Sequence, residues 1–174
     1  MRVRPARPDD AETLRAAVSR ARETTVLDDI SETLFDVSAA GVREAAAGAE
    51  CRFLVEVDGA PVGVALAHPD ADGAEAELLA LWVHPEHAGD GIVEKLLARV
   101  ASSLADRGVE TLRTTVPADQ PSVREFYRSH GFGRRCVRRG PDGDEAVVVA
   151  EVDTVERRVR ATEHERTCGP DGRN

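Results

Sequence analysis

The 174-residue sequence has almost no lysine and few aromatic side chains. Lys95 is the only lysine against 22 arginines, and Phe, Trp and Tyr together make up 3% of the chain. Acidic residues number 32 against 23 basic ones, which gives a net charge of −9. Because nucleic-acid binding needs a basic surface, this balance argues against a nucleic-acid partner. An acidic surface can steer cationic substrates, but solubility in a salt-adapted proteome is enough to explain it.

Long hydrophobic runs and a cysteine framework are also missing. No apolar run approaches membrane-spanning length, and no apolar stretch follows the charged start of the chain. The cysteines lie far apart and lack zinc-ligand spacing: Cys51, Cys136 and Cys168. We therefore expect a cytoplasmic protein with reduced thiols, no metal site and no membrane contact.

Strand and helix patterns alternate regularly over residues 1–153. They predict an α/β domain of order β-α-α-β-β-β-α-β-α-β-β, in which the strands flanking the central helix are parallel neighbours. Two of the helices fall between about residues 9 and 48. Residues 154–174 are highly charged and form a predicted tail that begins helical and then frays. We see no repeat or internal linker, so we expect one domain followed by this tail.

The predicted domain is organised around residues 77–97, which are predicted to form a strand, a glycine loop and the start of a helix. The helix has one apolar face: Ile92, Leu96, Leu97, Val100 and Leu104. A helix N-terminus offers unpaired amides and a positive dipole end, and Gly89 and Gly91 let an anion approach the backbone closely. The alternative is an ordinary strand–turn–helix junction, which is the better explanation when the loop is considered alone.

Two motifs beside this order of elements resemble the GNAT acetyltransferase superfamily. The first is Leu81-Trp-Val83-His-Pro-Glu86, which runs after His87 into Ala88-Gly-Asp-Gly-Ile-Val93. The second is Gln120-x-x-Val-x-x-Phe126-Tyr127-x-x-x-Gly131-Phe132. The pair of motifs, with a strand between them, is far more specific than a glycine loop. The resemblance implies a GNAT-like mixed, twisted sheet that splays between the strands ending at Val83 and Val116.

The resemblance also implies acetyl-CoA as co-substrate, bound in that cleft. Backbone groups of two strand residues would pair with the pantetheine arm, and amides of the loop would hold the pyrophosphate. The implied donor-binding residues are Leu81, Val83, Ala88, Gly89, Asp90, Gly91, Ile92, Val93 and Gln120. Tyr127 would lie near the thioester sulfur as general acid, since thiol and phenol pKa values of about 8.5 and 10 are close. Its alternative is a core aromatic residue.

Four positions differ from the family pattern. Ala88 stands in place of Arg or Gln, Gln120 in place of Asn, and Val93 in place of a Gly or Ala that lets phosphate approach. Asp90 places a carboxylate where the pyrophosphate is expected, although molar salt would shorten the Debye length to about 3 Å. These differences motivate a rival hypothesis, a non-catalytic GNAT-fold module that senses CoA or has lost donor binding.

The leading hypothesis is an N-acetyltransferase that transfers acetyl directly to a primary amine. Glu77, predicted to share a pleat face with Glu75, Leu79 and Leu81, or a water would be the base, and a backbone amide near Val83 would bind the oxyanion. A solvated strand glutamate is the equal alternative for Glu77. The acceptor, a small-molecule or peptide amine, stays open, with generic acidic groups nearby at Asp28, Asp29, Glu32 and Asp36. A homodimer is left open.

Overall fold

The computed structural model describes residues 1–7, 10, 51–140 and 143–167. These residues form seven strands, whose bounds are β1 Arg2–Pro5, β2 Cys51–Val57, β3 Ala60–Pro69, β4 Glu75–Val83, β5 Thr111–Pro117, β6 Gly133–Gly140 and β7 Gly143–Glu151. The helices are α1 Ile92–Ala105, α2 Pro121–Ser129 and α3 Val152–Thr167, and a 3-10 turn spans Pro85–His87. The two helices predicted before residue 51 lie outside the described residues.

The strands form one mixed sheet in the order β1-β2-β3-β4-β5-β7-β6. Neighbouring strands are antiparallel except β4 and β5, which are parallel and connected through α1. This confirms the predicted α/β fold and its parallel central pair. The β2–β3 hairpin closes through Asp58 and Gly59, both at positive φ, as the Asp-Gly dipeptide predicts.

The main core lies between the sheet and its helices. The predicted apolar face of α1 is fully buried, with Leu96, Leu97 and Val100 at 0% exposure. Gly63 on β3 permits this close packing, because a Cβ there would lie 2.8 Å from Cγ2 of Ile92. The helix that carries the glycine loop at its start is therefore held firmly on the strands beside the loop.

The C-terminal helix α3 is part of this core. Val152, Val155 and Val159 recur on one side of α3 and are buried in the same apolar cluster as α1. Residues 152–167 thus form a helix where the tail is predicted to begin helical, and residues 152–159 pack against the domain through these valines instead of extending from it. Among the described residues, no helix is both long and apolar enough to span a membrane.

A β-bulge in β4 changes which side chains face the core. Leu66 of β3 pairs with Ala80 and the next residue pairs with Leu78, so Leu79 is an extra residue on β4. In a regular strand, residues three positions apart point to opposite faces. Because of the bulge, Leu78 and Leu81 both join the core cluster. The expectation that Glu77 and Leu81 share a pleat face is therefore wrong, because the bulge reverses the alternation between them.

Candidate active site

The central parallel strands part shortly after they meet. Only three register pairs join β4 to β5, and the last of them is Glu77 with Arg113. One residue further on, the Thr114 hydroxyl donates a 3.1 Å hydrogen bond to the Leu78 carbonyl. Within the described ranges, β4 from Leu79 to Val83 has no strand partner on its β5 side. We call this opening the fork, and it has the geometry expected for the predicted cleft.

The bulge at Leu79 explains why the fork opens where it does. A bulge bends its strand and increases the local twist, so β4 turns away from β5 immediately after their last pair. The unpaired edge of β4 includes Leu81 and Val83, the two residues predicted to pair with a pantetheine arm. An extended chain with amide groups could add to this edge as a further strand.

Beyond the fork, β4 leads into the glycine loop and the start of α1. Gly89 and Gly91 have φ values of 90° and 75°, in the left-handed region that favours glycine. A Cβ built on Gly89 meets nothing within 4 Å, so the loop is open on that side. At the start of α1 the Lys95 amide donates a 3.2 Å hydrogen bond to the Gly91 carbonyl. The amides of Ile92 and Val93 precede it and have no intrahelical acceptor, which makes them available to an anion.

Side chains of the loop are less suited to an anion than its backbone. Ala88, Gly89 and Asp90 are exposed, so the Asp90 carboxylate stands in the open part of the loop. Its Oδ2 lies 3.0 Å from Nδ1 of His87, which compensates the negative charge when the imidazole is protonated. Val93 is half-buried and packs against the core cluster. The structure thus gives Asp90 a partner that the spacing of the motif did not suggest.

Tyr127 lies in the interior beside the fork. Its ring is 4% exposed and makes edge-on contacts with Phe126 and Phe132. Burial raises the pKa of the Tyr127 phenol well above its usual value, and the Thr114 hydroxyl partly offsets that effect. The phenol therefore stays protonated at neutral pH. It is better suited to donating a hydrogen bond to a thiolate than to losing its proton entirely.

Glu77 belongs to a network of charged residues at the base of the fork. Its Oε2 accepts a 3.1 Å bond from Arg113, which also binds Asp70 and Glu75. Arg135 reaches Glu75 from β6, and these contacts lower the pKa of the Glu75 carboxyl to about 2. The Glu77 side chain is 39% exposed, the largest exposed fraction among the three carboxylates of this network, and its Oε1 accepts no hydrogen bond from the described residues.

The two catalytic candidates lie on opposite faces of the sheet. Arg113 and Thr114 are consecutive residues of β5, so their side chains point to opposite faces. Thr114 is buried on the face that also holds Tyr127 in the core, and Arg113 contacts Glu77 on the other face. The fork is the place where these two faces communicate. A donor arriving from one face and an acceptor from the other could therefore meet there.

Sequence reasoning did not single out Thr114 and Arg113, and it named His87 only as the residue between the two parts of the first motif. Only their places in the pattern could have signalled them: Thr114 and Arg113 lie on the strand facing the fork, and His87 is three residues before Asp90. Gln120 is the N-cap residue of α2 and makes no side-chain cap bond. In the ranges that the structure describes, no three His, Cys, Asp or Glu side chains group as metal ligands.

Solved structures share this architecture at low sequence identity. Ard1 from Thermoplasma volcanium is 18% identical with a TM-score of 0.69, covering 86% of this chain and 96% of that one. The ribosomal-protein-S18-alanine N-acetyltransferase from Escherichia coli is 22% identical with a TM-score of 0.64, covering 87% and 93%. PaiA N-acetyltransferase from Thermoplasma acidophilum, solved with coenzyme A, is 19% identical with a TM-score of 0.63, covering 86% and 98%. At these identities the likeness establishes the fold.

The family itself follows from the sequence match. The model of the acetyltransferase (GNAT) family matches residues 14–132, well over half of the chain. The chain therefore belongs to the GNAT acetyltransferase family. The matched range includes the fork, the glycine loop and α2 with its Phe-Tyr pair, so the predicted resemblance is confirmed.

Proposed function

We propose that this protein is an N-acetyltransferase that transfers acetyl from acetyl-CoA to a primary amine by direct attack. The observation that carries the proposal is the fork, where the free edge of β4 leads directly to the glycine loop and the N-terminus of α1. An extended pantetheine arm fits such an edge, and a diphosphate fits helix-terminal amides. Acetyl-CoA would supply the activated acetyl group.

The residues around the fork could divide the chemistry as follows. An amine acceptor arrives as ammonium and must lose a proton, which Glu77 or a water that it orients can accept. The amine nitrogen then bonds to the thioester carbon while the carbon–sulfur bond breaks, and the proton that the nitrogen sheds on becoming an amide goes to the leaving sulfur, so that the products are the acetamide and the CoA thiol. A backbone amide of β4 would stabilise the developing oxyanion, and the Tyr127 hydroxyl would donate a hydrogen bond to the leaving thiolate.

The ion pair with Arg113 refines the role of Glu77. One carboxylate oxygen is occupied at 3.1 Å, while the exposed Oε1 can bind an ammonium group. The network of Asp70, Glu75 and Glu77 carries one more negative charge than its two arginines can neutralise. This excess favours a cationic amine over an anionic acceptor.

Two measurements test the proposal. Calorimetry with acetyl-CoA should show binding, and a thiol-release assay over a panel of amines should show turnover. Tyr127→Phe removes the only tyrosine hydroxyl of the chain. It should lower kcat about 10- to 100-fold with little change in donor affinity, since its contact is made to the leaving group. Turnover equal to the wild type would remove Tyr127 from the mechanism.

The loop side chains favour a second candidate, a binding module that senses CoA. Ala88 supplies no cation, Asp90 is an exposed anion and Val93 has a branched side chain in the first turn of α1. Binding of acetyl-CoA without turnover of any amine would favour this candidate. Absence of binding at both low and molar salt would instead favour a regulatory module without a donor.

A further inference from the structure

His68 lies next to Glu77 on the same face of the sheet. His68 on β3 is the register partner of Glu77 on β4. Directly opposite residues of an antiparallel pair point to the same face, and their Cβ atoms lie about 4.5 to 5.5 Å apart. The adjacent register pair, Ala67 with Leu78, belongs to the core cluster, so His68 and Glu77 point to the other face. An exposed imidazole therefore stands beside the proposed base.

Glu77 lies between this histidine and Arg113. It pairs in register with His68 on one side and with Arg113 of β5 on the other. Arg113 occupies Oε2 of Glu77 at 3.1 Å, whereas Oε1 accepts no hydrogen bond from the described residues. His68 is exposed and the Glu77 side chain is 39% exposed, so one water can bridge the carboxylate and the imidazole. The carboxylate thus has one fixed oxygen and one that can exchange a proton.

A histidine is suited to carry away the proton that Glu77 receives. In the proposed function, Glu77 takes one proton from each ammonium acceptor and must lose it before the next turnover. An acceptor bound at Oε1 shields that oxygen from bulk water, so a neighbouring group has to remove the proton. The ordinary pKa of an imidazole, about 6.5, is above that of a carboxylic acid, about 4.3, so the transfer between them is downhill. An imidazole also returns its proton to water readily near neutral pH.

We propose that His68 is a proton relay for the acetyl transfer, acting through Glu77. An N–H bond of the ammonium breaks as an O–H bond forms at Oε1 of Glu77. That proton passes, directly or through one water, to the imidazole of His68, which returns a proton to the solvent. Glu77 is thereby restored as a carboxylate. His68 is a positioning residue that touches neither donor nor acceptor, and this inference rests on the proposed acetyltransferase function.

Rescue by added imidazole tests the relay. His68→Ala changes an exposed position, so we expect a folded protein. In dilute buffer its kcat should fall about 10-fold, less than the loss of about 100-fold or more expected for a direct base, while KM for acetyl-CoA stays within about twofold. Added imidazole should restore most of the loss. His164→Ala is the matched control, since it removes an exposed histidine of α3, and it should keep the wild-type kcat with or without imidazole.

A double variant tests whether His68 acts through Glu77. With glutamine at position 77, no proton reaches the relay, so adding His68→Ala to Glu77→Gln should change kcat less than about twofold. Losses that multiply would show that the two residues act independently and would overturn the inference.

A resonance readout tests the juxtaposition without enzyme activity. The ring resonances of His68, assigned by their absence in His68→Gln, should move in Glu77→Gln because a neighbouring charge is removed. They should stay in place in Glu125→Gln, which neutralises an exposed carboxylate on α2. Unmoved His68 resonances in a folded Glu77→Gln protein would overturn the inference whether or not the protein is an enzyme.

The kinetic results distinguish the two proposals. If the wild type acetylates an amine and His68→Ala keeps its kcat in dilute buffer, the relay is wrong and the proposed function stands. A loss of kcat that imidazole does not restore would also overturn the relay, because it would show that proton removal is not the cause. If the wild type turns over no amine, the proposed function fails and the relay fails with it, even where the resonances move.

Discussion

Replacing Asp90 with asparagine should strengthen binding of acetyl-CoA, and the gain should depend on salt. Asp90 lies in the exposed part of the glycine loop, next to the N-terminus of α1 where we propose that the diphosphate binds. Its side chain is 57% exposed, so the dielectric constant of water is the appropriate one for its long-range field. Asn keeps the size of the side chain and removes only the charge.

The magnitude follows from Coulomb's law with screening. At roughly 6 Å in water, a carboxylate and one phosphate charge repel by about 0.7 kcal/mol. A Debye length of about 10 Å at 0.1 M salt reduces this to about 0.4 kcal/mol, or about 0.8 kcal/mol for two phosphate charges. The Kd should therefore fall about fourfold. At about 1 M salt, where the Debye length is about 3 Å, the gain should shrink below about 1.5-fold.

Calorimetric titration of the wild type and Asp90→Asn at the two salt concentrations measures both numbers. All titrations are run at one pH, so that only the residue at position 90 and the salt concentration differ between them. Asp106→Asn is the matched control: it removes an exposed carboxylate at the other end of α1, a helix length of about 21 Å away. An unchanged Kd at low salt, or an equal gain at both concentrations, would refute the placement of the diphosphate beside Asp90.

Two further predictions concern stability. Gly131 has φ 95°, and a Cβ there would lie 2.8 Å from Cγ2 of Thr154, so Gly131→Ala should lower the free energy of unfolding by about 2 to 4 kcal/mol in urea denaturation. Adding Thr154→Ser, which removes that methyl group, should restore the part of the lost unfolding free energy that comes from the clash, but not the part that comes from positive φ. If the double variant regains no stability, the contact with Thr154 is not the cause. The pKa of Glu75 is lowered from 4.5 to about 2, so its contribution to stability is complete above about pH 4.5 and is lost as pH falls toward 2. Glu75→Gln should flatten the acid limb of a stability–pH profile, and an unchanged limb would show that Arg113 and Arg135 do not stabilise the folded state through Glu75.

Most of the fold could be predicted because its signals are local. The apolar face of α1 depends on neighbouring residues and is buried as predicted, and β4 and β5 end within one residue of the predicted Val83 and Val116. Helix α3 has a weaker local signal, because three valines at helical spacing stand among many charges. The sequence therefore predicts a tail here, although Val155 and Val159 are fully buried.

The candidate site was harder to predict because it depends on contacts across the sheet. The bulge at Leu79 is visible only in the register with β3, and it decides that Leu81 faces the core while Glu77 does not. Thr114 on β5 and Tyr127 on the following helix are both buried on one side of the sheet, and no sequence spacing specifies that arrangement. The motif indicates which residues to consider, and tertiary packing decides which of them meet.

In the proposed donor site, the backbone and the side chains of the glycine loop differ in how well they suit an anion. The backbone features are the unpaired edge of β4, the left-handed Gly91 and the first amides of α1, and all of them have the geometry that the proposed function requires. The side-chain features are those of Ala88, Asp90 and Val93, and none adds a cation to the loop. Backbone amides bind an anion whatever side chains flank them, because their dipoles are set by the helix. We therefore expect a donor site that is present but weak and sensitive to salt, in which the choice between enzyme and sensor depends on Tyr127 and Glu77 instead of on the loop.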